Sequence, residues 1–149
     1  MAAKLHASWA HGFTAVPENP ATRVLRQGFG ATFTIPANTG EWIHLPIPTP
    51  VITANARAVL DKVLFLFHAR NTSSLLQVDV YDGPTRILAV REMRIRGDHS
   101  RGVDDKNVVT LRRPAIRFGV GVSLLVAAGQ NQSEFFVSGF GGDFFHDLP

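Results

Sequence analysis

The stretch FGATFTI, residues 29–35, alternates apolar side chains with glycine and threonine. Successive side chains of a β-strand point to opposite faces of a sheet, so a period of two is typical of a strand with one buried face. The stretch therefore predicts such a strand, with four residues pointing into the core: Phe29, Ala31, Phe33 and Ile35.

The same period recurs along the chain. In KLHASWAH it predicts that Leu5, Ala7 and Trp9 point inward while His6 and Ser8 point outward. LLQVDVY (75–81) and IRFGVGVSLLV (116–126) alternate in the same way. VLFLF, residues 63–67, is apolar on both parities, which favours a central strand covered on both faces over a buried helix.

Turn-forming stretches separate these runs, namely YDGPT, RNTSS, AAGQNQS and SGFGGD, and no segment has a convincing helical stripe. Proline follows EWIHL at Pro46, Pro48 and Pro50, so this segment is expected to be an edge strand or an extended arm. About nine strands result, near residues 3–10, 29–35, 41–47, 57–68, 75–82, 86–95, 107–112, 116–127 and 134–145. This number and spacing predict an all-β fold, an antiparallel, jelly-roll-like β-sandwich.

Four segments carry a resemblance to a known group of proteins: HASWAHG, HLPIPTPVI, VYDGPTRI and GDHS. Together they resemble a family of small, uncharacterised bacterial all-β proteins with no assigned function. The resemblance covers most of the chain and implies an all-β fold. It supplies no functional residues.

The length of 149 residues predicts a single domain spanning 1–149. The longest uncharged apolar run is too short for a membrane span, and the N-terminus lacks the pattern of a signal peptide, so a cytoplasmic location is the default expectation. The chain has no cysteine, which excludes disulfides and thiolate chemistry.

Charge is unevenly distributed along the chain. Residues 86–117 carry nine basic and four acidic residues, whereas residues 118–149 carry no basic and three acidic ones. The basic excess is too small to predict a nucleic-acid interface. It favours instead a contact in which the arginine-rich segment 94–107, RIRGDHSRGVDDKN, faces an acidic surface.

Two aromatic residues, Trp42 and Tyr81, fall on the predicted outer faces of their strands. Burial under a loop or a neighbouring subunit is the commoner explanation for such residues, and binding of a ligand is the other. His44, Gln77 and Asp79 share those faces and would supply polar partners. These five residues are the candidate site for a carbohydrate ligand.

The loop 94–107 also offers several oxygen ligands of the kind that Ca²⁺ binds. They are Asp98, Asp104, Asp105 and Asn107, whose spacing does not match an EF-hand loop. A solvated loop is the simpler interpretation, so no cofactor is expected and calcium is the minority alternative.

Arg91 interrupts an apolar series of one parity in ILAVREMRI. Either a buried, paired arginine or a β-bulge or bend that resets the parity and sends Arg91 to solvent would explain it, and the bulge or bend is favoured. The C-terminal stretch raises a related question, because Phe135 and Phe136 point to opposite faces, as do Phe144 and Phe145. One of each pair needs cover from a loop or from another chain.

These features favour a non-enzymatic sandwich module that self-associates into a homo-oligomer. Its interface would use the arginines of the basic segment and the phenylalanine pairs: Arg91, Arg94, Arg96, Phe135, Phe136, Phe144 and Phe145. A carbohydrate-binding sandwich, with or without calcium, is the alternative. A metal-dependent hydrolase comes third, because no constellation of catalytic residues has a specific spacing.

Overall fold

The computed structural model describes residues 4–146. It contains thirteen strands and one short 3₁₀ turn, Gly12–Thr14. The strands are β1 (Lys4–His11), β2 (Val16–Pro17), β3 (Val24–Gln27), β4 (Gly30–Ile35), β5 (Gly40–Pro46), β6 (Ile52–Thr53), β7 (Ala56–Ala69), β8 (Ser74–Asp82), β9 (Thr85–Val90), β10 (Gly97–His99), β11 (Val108–Thr110), β12 (Val120–Ala127) and β13 (Ser133–His146).

The strands form two antiparallel sheets. The larger sheet has the order β10-β7-β13-β4-β3, with β1 also pairing with β13 and with β6 and β11 pairing with β7. The smaller sheet has the order β2-β5-β12-β8-β9. The chain is therefore an all-β, jelly-roll-like sandwich, as the alternation predicts.

The two inner faces share one apolar core. Phenylalanines of the larger sheet fill much of it, and the rings of Phe67 and Phe135 stack with centroids 5.3 Å apart. The smaller sheet contributes alternate residues of β12, Val120, Val122, Leu124 and Val126, all buried. The prediction that residues 63–67 belong to a central strand covered on both faces is also confirmed, since β7 is a long central strand with few exposed residues.

All nine predicted strands are present, and the four that the alternation missed are short. They are β2, β3, β6 and β10, with two to four residues each. A strand of this length contains too few alternations to be recognised, and its formation depends on the neighbour with which it pairs. The stretch SGFGGD, interpreted as a turn, lies instead within β13.

The predicted orientation of β1 is wrong. In the register with β13, Leu5, Ala7 and Trp9 lie opposite outward-facing residues, and Leu5 and Trp9 are 52% and 42% exposed. His6 faces inward and contacts His146 instead. Two other apolar residues predicted to be buried, Phe29 and Phe118, precede their strands and are 60% and 73% exposed.

The chain leaves the sheet at Arg91, in agreement with the bend that the sequence favours. Strand β9 ends at Val90, and Arg91 is exposed. Glu92 and Arg94 have positive φ angles of 56° and 51°. These conformations break the alternation, so Arg91 needs no buried partner.

Asp82 anchors the turn that precedes β12. Its carboxylate accepts hydrogen bonds from the backbone N–H groups of Arg117, Phe118 and Gly119, at 2.9, 2.9 and 3.2 Å. Burial opposes ionisation of Asp82, but these hydrogen bonds outweigh it and hold the pKa of the carboxyl below its usual value. Asp82 thereby fixes the start of β12, the central strand of the smaller sheet.

Candidate functional site

The outer face of the smaller sheet brings together the five residues proposed as a ligand site. Three rows of neighbouring residues cross β5, β12 and β8. The rows are Trp42, Leu125 and Gln77, then His44, Ser123 and Asp79, then Pro46, Gly121 and Tyr81. Directly paired residues of an antiparallel ladder point to the same face, so these side chains share one surface.

The middle row is a connected set of polar side chains. His44 Nδ1 lies 2.7 Å from Ser123 Oγ, and His44 Nε2 lies 3.3 Å from a carboxylate oxygen of Glu18. The imidazole is therefore held between a hydroxyl on the sheet and a carboxylate on the segment after β2. Its ring is oriented before any ligand arrives.

Asp79 is the buried charge of this face, with 3% of its surface exposed. Its carboxylate accepts a hydrogen bond of 2.8 Å from Gln77 Nε2 and lies 3.7 Å from Arg86 Nη1. A buried carboxylate without such partners would be costly. Gln77 and Arg86 therefore stabilise Asp79 and are themselves fixed in place.

The two aromatic residues lie at opposite corners of the polar rows. Both are partly exposed. From a strand spacing of about 4.8 Å and a rise of about 3.4 Å per residue, their Cα atoms are roughly 17 Å apart. A shallow cleft of about 270 Å³ beside Tyr81 is lined by His44, Gly121 and Ser123. Gly121 has no side chain, which leaves room above the strand.

Three residues of this surface were missed from the sequence. Ser123 has the outward parity of an apolar strand, a signal that could have been noticed. Arg86 lies beside Asp79 because β8 and β9 shift register between Val80 and Tyr81, which the sequence does not reveal. Glu18 approaches His44 only through the tertiary fold.

Three of the four calcium candidates, Asp98, Asp104 and Asn107, make hydrogen bonds within their own loop. Asp98 Oδ1 accepts a hydrogen bond from the Ser100 N–H at 3.0 Å, and Asp104 Oδ2 lies 2.8 Å from His99 Nδ1. Asp105 is exposed. Among residues 4–146, no three His, Asp or Glu side chains are close enough to hold a metal ion, so the structure does not gather the three aspartates into a site.

Asn107, the fourth calcium candidate, is fully buried and closes this loop. Its Nδ2 donates to the carbonyl oxygens of His99 and Gly102, at 3.0 and 2.8 Å, and its Oδ1 accepts from the Asp104 N–H at 2.8 Å. The hydrogen bonds of the Asn107 side-chain amide are therefore all made with the backbone of this loop. Its role in this structure is to hold the loop.

His99 and Asp104 pair within the loop, and Arg96 reaches the neighbouring turn at Asn71. Burial opposes the positive charge of His99, but its hydrogen bonds to Asp104 and to the Arg96 carbonyl raise its pKa above the ordinary value. The hydrogen bond from His99 in turn lowers the pKa of Asp104. Arg96 donates to the Asn71 carbonyl oxygen at 2.7 Å. None of these contacts is with the acidic C-terminal stretch.

The residues proposed for a subunit interface divide into three groups: buried phenylalanines, phenylalanines covered by arginines, and exposed arginines. Phe135 and Phe144 are fully buried in the core of the chain and have no surface to offer a partner, which corrects that assignment. Phe136 is covered by Arg70, and the ring of Phe145 lies 4.3 Å from the Arg113 guanidinium. Arg91, Arg94 and Arg96 are exposed. Each pair of phenylalanines is thus covered largely from within the chain.

Solved structures with a similar chain path include carbohydrate-binding modules. TmCBM61, in complex with β-1,4-galactotriose, is 12% identical with a TM-score of 0.45 over 93% of this chain and 88% of that chain. CBM36, in complex with calcium and xylotriose, is 12% identical with a TM-score of 0.43 over 89% of this chain and 97% of that chain.

An exo-β-1,3-galactanase from Phanerochaete chrysosporium with galactose is 9% identical with a TM-score of 0.45, over 92% of this chain and 29% of that chain. At these values the three likenesses carry no argument about function. A search of curated proteins finds no match. The model of a family of unknown function (DUF6623) matches residues 4–141.

Proposed function

Since the chain belongs to the family of unknown function (DUF6623), its function has to be inferred from its own residues, and we propose that it binds a carbohydrate chain on the outer face of the smaller sheet. The observation that carries the proposal is the polar middle row between Trp42 and Tyr81. The proposal is one of binding without catalysis.

Each part of this face suits a sugar ligand. The faces of Trp and Tyr rings pack against the C–H groups of a pyranose ring, and their polar tips stay available to solvent. The middle row supplies donors and acceptors for hydroxyl groups, held in place by contacts among themselves. Binding sites combine such apolar area with a few oriented polar groups.

The spacing of the two aromatic residues indicates an extended ligand. A single sugar ring does not bridge roughly 17 Å, so a ligand touching both residues has several linked units. Asp79 and His44 lie between the ends and would contact its centre. We therefore expect oligosaccharides to bind more tightly than monosaccharides.

A glycan array followed by calorimetry on the best oligosaccharide tests the proposal. We expect Trp42→Ala and Tyr81→Ala each to weaken binding by about tenfold or more, which corresponds to about 1.4 kcal/mol. Trp9→Ala is the matched control, since Trp9 is a partly exposed tryptophan on the opposite sheet. Calcium is not part of the proposed site, so a chelator should leave binding unchanged.

Two results would contradict the proposal. One is an array without any bound glycan. The other is a Trp42→Ala protein that unfolds at the same temperature as the wild type and binds the glycan equally well.

Self-association is the second candidate, and the exposed apolar residues of the larger sheet favour it. Leu5, Trp9 and Leu25 project from its outer face, and large exposed apolar surfaces often mark interfaces. A second copy of the chain, related by a two-fold axis, would cover the same residues on both subunits.

Sedimentation velocity at several micromolar concentrations tests self-association. We expect a dimer that dissociates on dilution, and Leu5→Ser combined with Trp9→Ser should shift it to monomer. Phe118→Ser is the control, because Phe118 is even more exposed but precedes β12 of the smaller sheet. A wild-type protein that stays monomeric at every concentration would exclude this candidate.

A further inference from the structure

A second cleft, of about 390 Å³, opens on the outer face of the larger sheet. Phe29 and Phe136 form one wall. Arg70, which lies over the Phe136 ring, also lines the cleft, together with Arg101, His68 and Asp98. Three parts of the fold meet here: the turn between β3 and β4, the ends of β7 and β13, and the loop 94–107.

Gly30 sets the position of the aromatic wall. A Cβ atom at this residue would lie 2.4 Å from the Val137 carbonyl oxygen and 2.5 Å from the ring of Phe136. Only glycine permits this close approach of β4 to β13. It brings the Phe29 ring to 5.9 Å from the Phe136 ring, while most of the Phe29 side chain stays exposed.

Arg70 is held in a defined orientation with its terminal nitrogens free. Its guanidinium carbon lies 5.0 Å from the centroid of the Phe136 ring, and its Nε donates to His68 Nδ1 at 3.4 Å. Within residues 4–146, Nη1 and Nη2 of Arg70 make no hydrogen bond. A fork of two free N–H groups is the geometry that binds a carboxylate through two parallel hydrogen bonds.

The loop wall is anchored to the sheet before any ligand binds. Ser138 projects outward at a β-bulge in β13 and donates to the Ser100 carbonyl oxygen at 2.7 Å. Asp98 Oδ1 accepts from the Ser100 N–H, and His68 Nδ1 lies 3.9 Å from the same oxygen. Little ordering of the loop is therefore needed on binding.

The charges of the cleft favour an anionic ligand. Two arginines exceed the one aspartate, whose Oδ1 atom already accepts hydrogen bonds from the N–H and hydroxyl groups of Ser100. The exposed Phe29 ring adds an apolar surface that a small inorganic anion would not use.

From these contacts we propose that the cleft binds a carboxylate carried on a six-membered ring. The ring packs against Phe29, and the carboxylate accepts hydrogen bonds from Arg70 and Arg101. This site lies on the opposite sheet from the proposed oligosaccharide face and does not depend on it.

NMR titration of the ¹⁵N-labelled protein tests the proposal, with benzoate, glucuronate and acetate as probes. We expect saturable shifts of the Ser100, Arg101 and Ser138 amides with at least one ring carboxylate. Acetate should bind more weakly by about tenfold or more, since it lacks the ring. Comparison of benzoate with glucuronate decides whether the ring is aromatic or a sugar.

Matched variants assign the binding to this cleft. Arg70→Gln and Phe29→Leu should each weaken the ring carboxylate by about tenfold, because one removes the charged fork and the other the aromatic face. Arg112→Gln, at an exposed arginine elsewhere, should bind as the wild type does. Trp42→Ala should also leave these shifts unchanged, which separates this site from the oligosaccharide face.

Three results would overturn the proposal. They are the absence of saturable shifts with both ring carboxylates at millimolar concentration, equal affinity for acetate, and unchanged binding in Arg70→Gln. The dispersion of each variant's own spectrum shows that it is folded, so a loss of binding is not caused by unfolding.

Discussion

His6 and His146 illustrate how single residues link the ends of the described chain. Their Nδ1 atoms lie 2.7 Å apart, and His146 Nε2 lies 2.7 Å from the Pro50 carbonyl oxygen. A carbonyl oxygen only accepts, so His146 Nε2 must carry a proton. In neutral His146 the Nδ1 atom then accepts, and His6 Nδ1 donates. When both rings are protonated, two N–H groups face each other.

This pair makes stability depend on pH near neutrality. Burial is the largest cause of the lowered pKa of His6, and the charges of His146 and Lys4 lower it further. The unfolded chain, in which His6 titrates near its ordinary value of about 6.5, then binds more protons than the folded chain. The stabilisation is complete above that value and is lost as the pH falls through about 6.5 towards the lowered pKa of the folded state.

We therefore predict that the wild-type protein loses more stability than His6→Gln when the pH is lowered from about 7.5 to about 5.5. Glutamine retains a donor for His146 but does not titrate. Thermal unfolding of both proteins at the two pH values measures the effect. His99 titrates in the opposite sense in both proteins, so its contribution cancels in the comparison. An equal loss in the two proteins would contradict the prediction.

Strand β1 forms where the alternation predicts it, but with the opposite face towards the core. Its alternation correctly predicts a strand, but its large apolar residues point away from the core. The reason lies in β13, where Gly139 and Gly141 leave the outer surface without side chains. A Cβ atom at Gly141 would lie 2.7 Å from the Trp9 ring. The indole thus packs onto the backbone of the neighbouring strand, and the inner side of β1 carries His6 and Ser8.

For the loop 94–107, the sequence predicts exposure to solvent but not the hydrogen-bond partners of the side chains. Its composition predicts a polar connection, and the structure confirms that most of its residues are exposed. Asn107 and the pair of His99 and Asp104 make contacts within the loop, whereas Ser100 accepts from Ser138 and Arg96 donates to Asn71 outside it. The sequence shows that an acidic side chain is present, but not which hydrogen-bond donor its carboxylate will accept from in the folded chain. The choice between a metal site and a set of turns depends on those donors.

At the scale of the whole molecule, two sheets share one core and expose two different outer faces. The smaller sheet presents polar side chains flanked by two aromatic residues. The larger sheet presents exposed apolar residues and the cleft lined by Phe29, Arg70 and Arg101. Binding at one face requires no contact with the other, because the core lies between them.

A shared core also predicts that the chain unfolds as one domain. Trp9 lies on the larger sheet and Trp42 on the smaller one, and both tryptophans are partly exposed. In Trp9→Phe and Trp42→Phe variants, the remaining tryptophan reports on one sheet. We expect urea transitions measured by fluorescence and by far-UV circular dichroism to coincide within each variant. Separate midpoints for the two probes would show that the sheets unfold independently.

The sequence alone determined the strand content, the sandwich class and the grouping of Trp42, His44, Gln77, Asp79 and Tyr81 on outward faces. These features follow from a period of two, which is a local property of the chain. Only the tertiary structure decided which face of β1 is buried, which donors surround Asp79 and Asp98, and how Phe29 meets Arg70. Those features depend on bulges, glycines and pairing partners far apart in the chain, and local alternation carries no information about them.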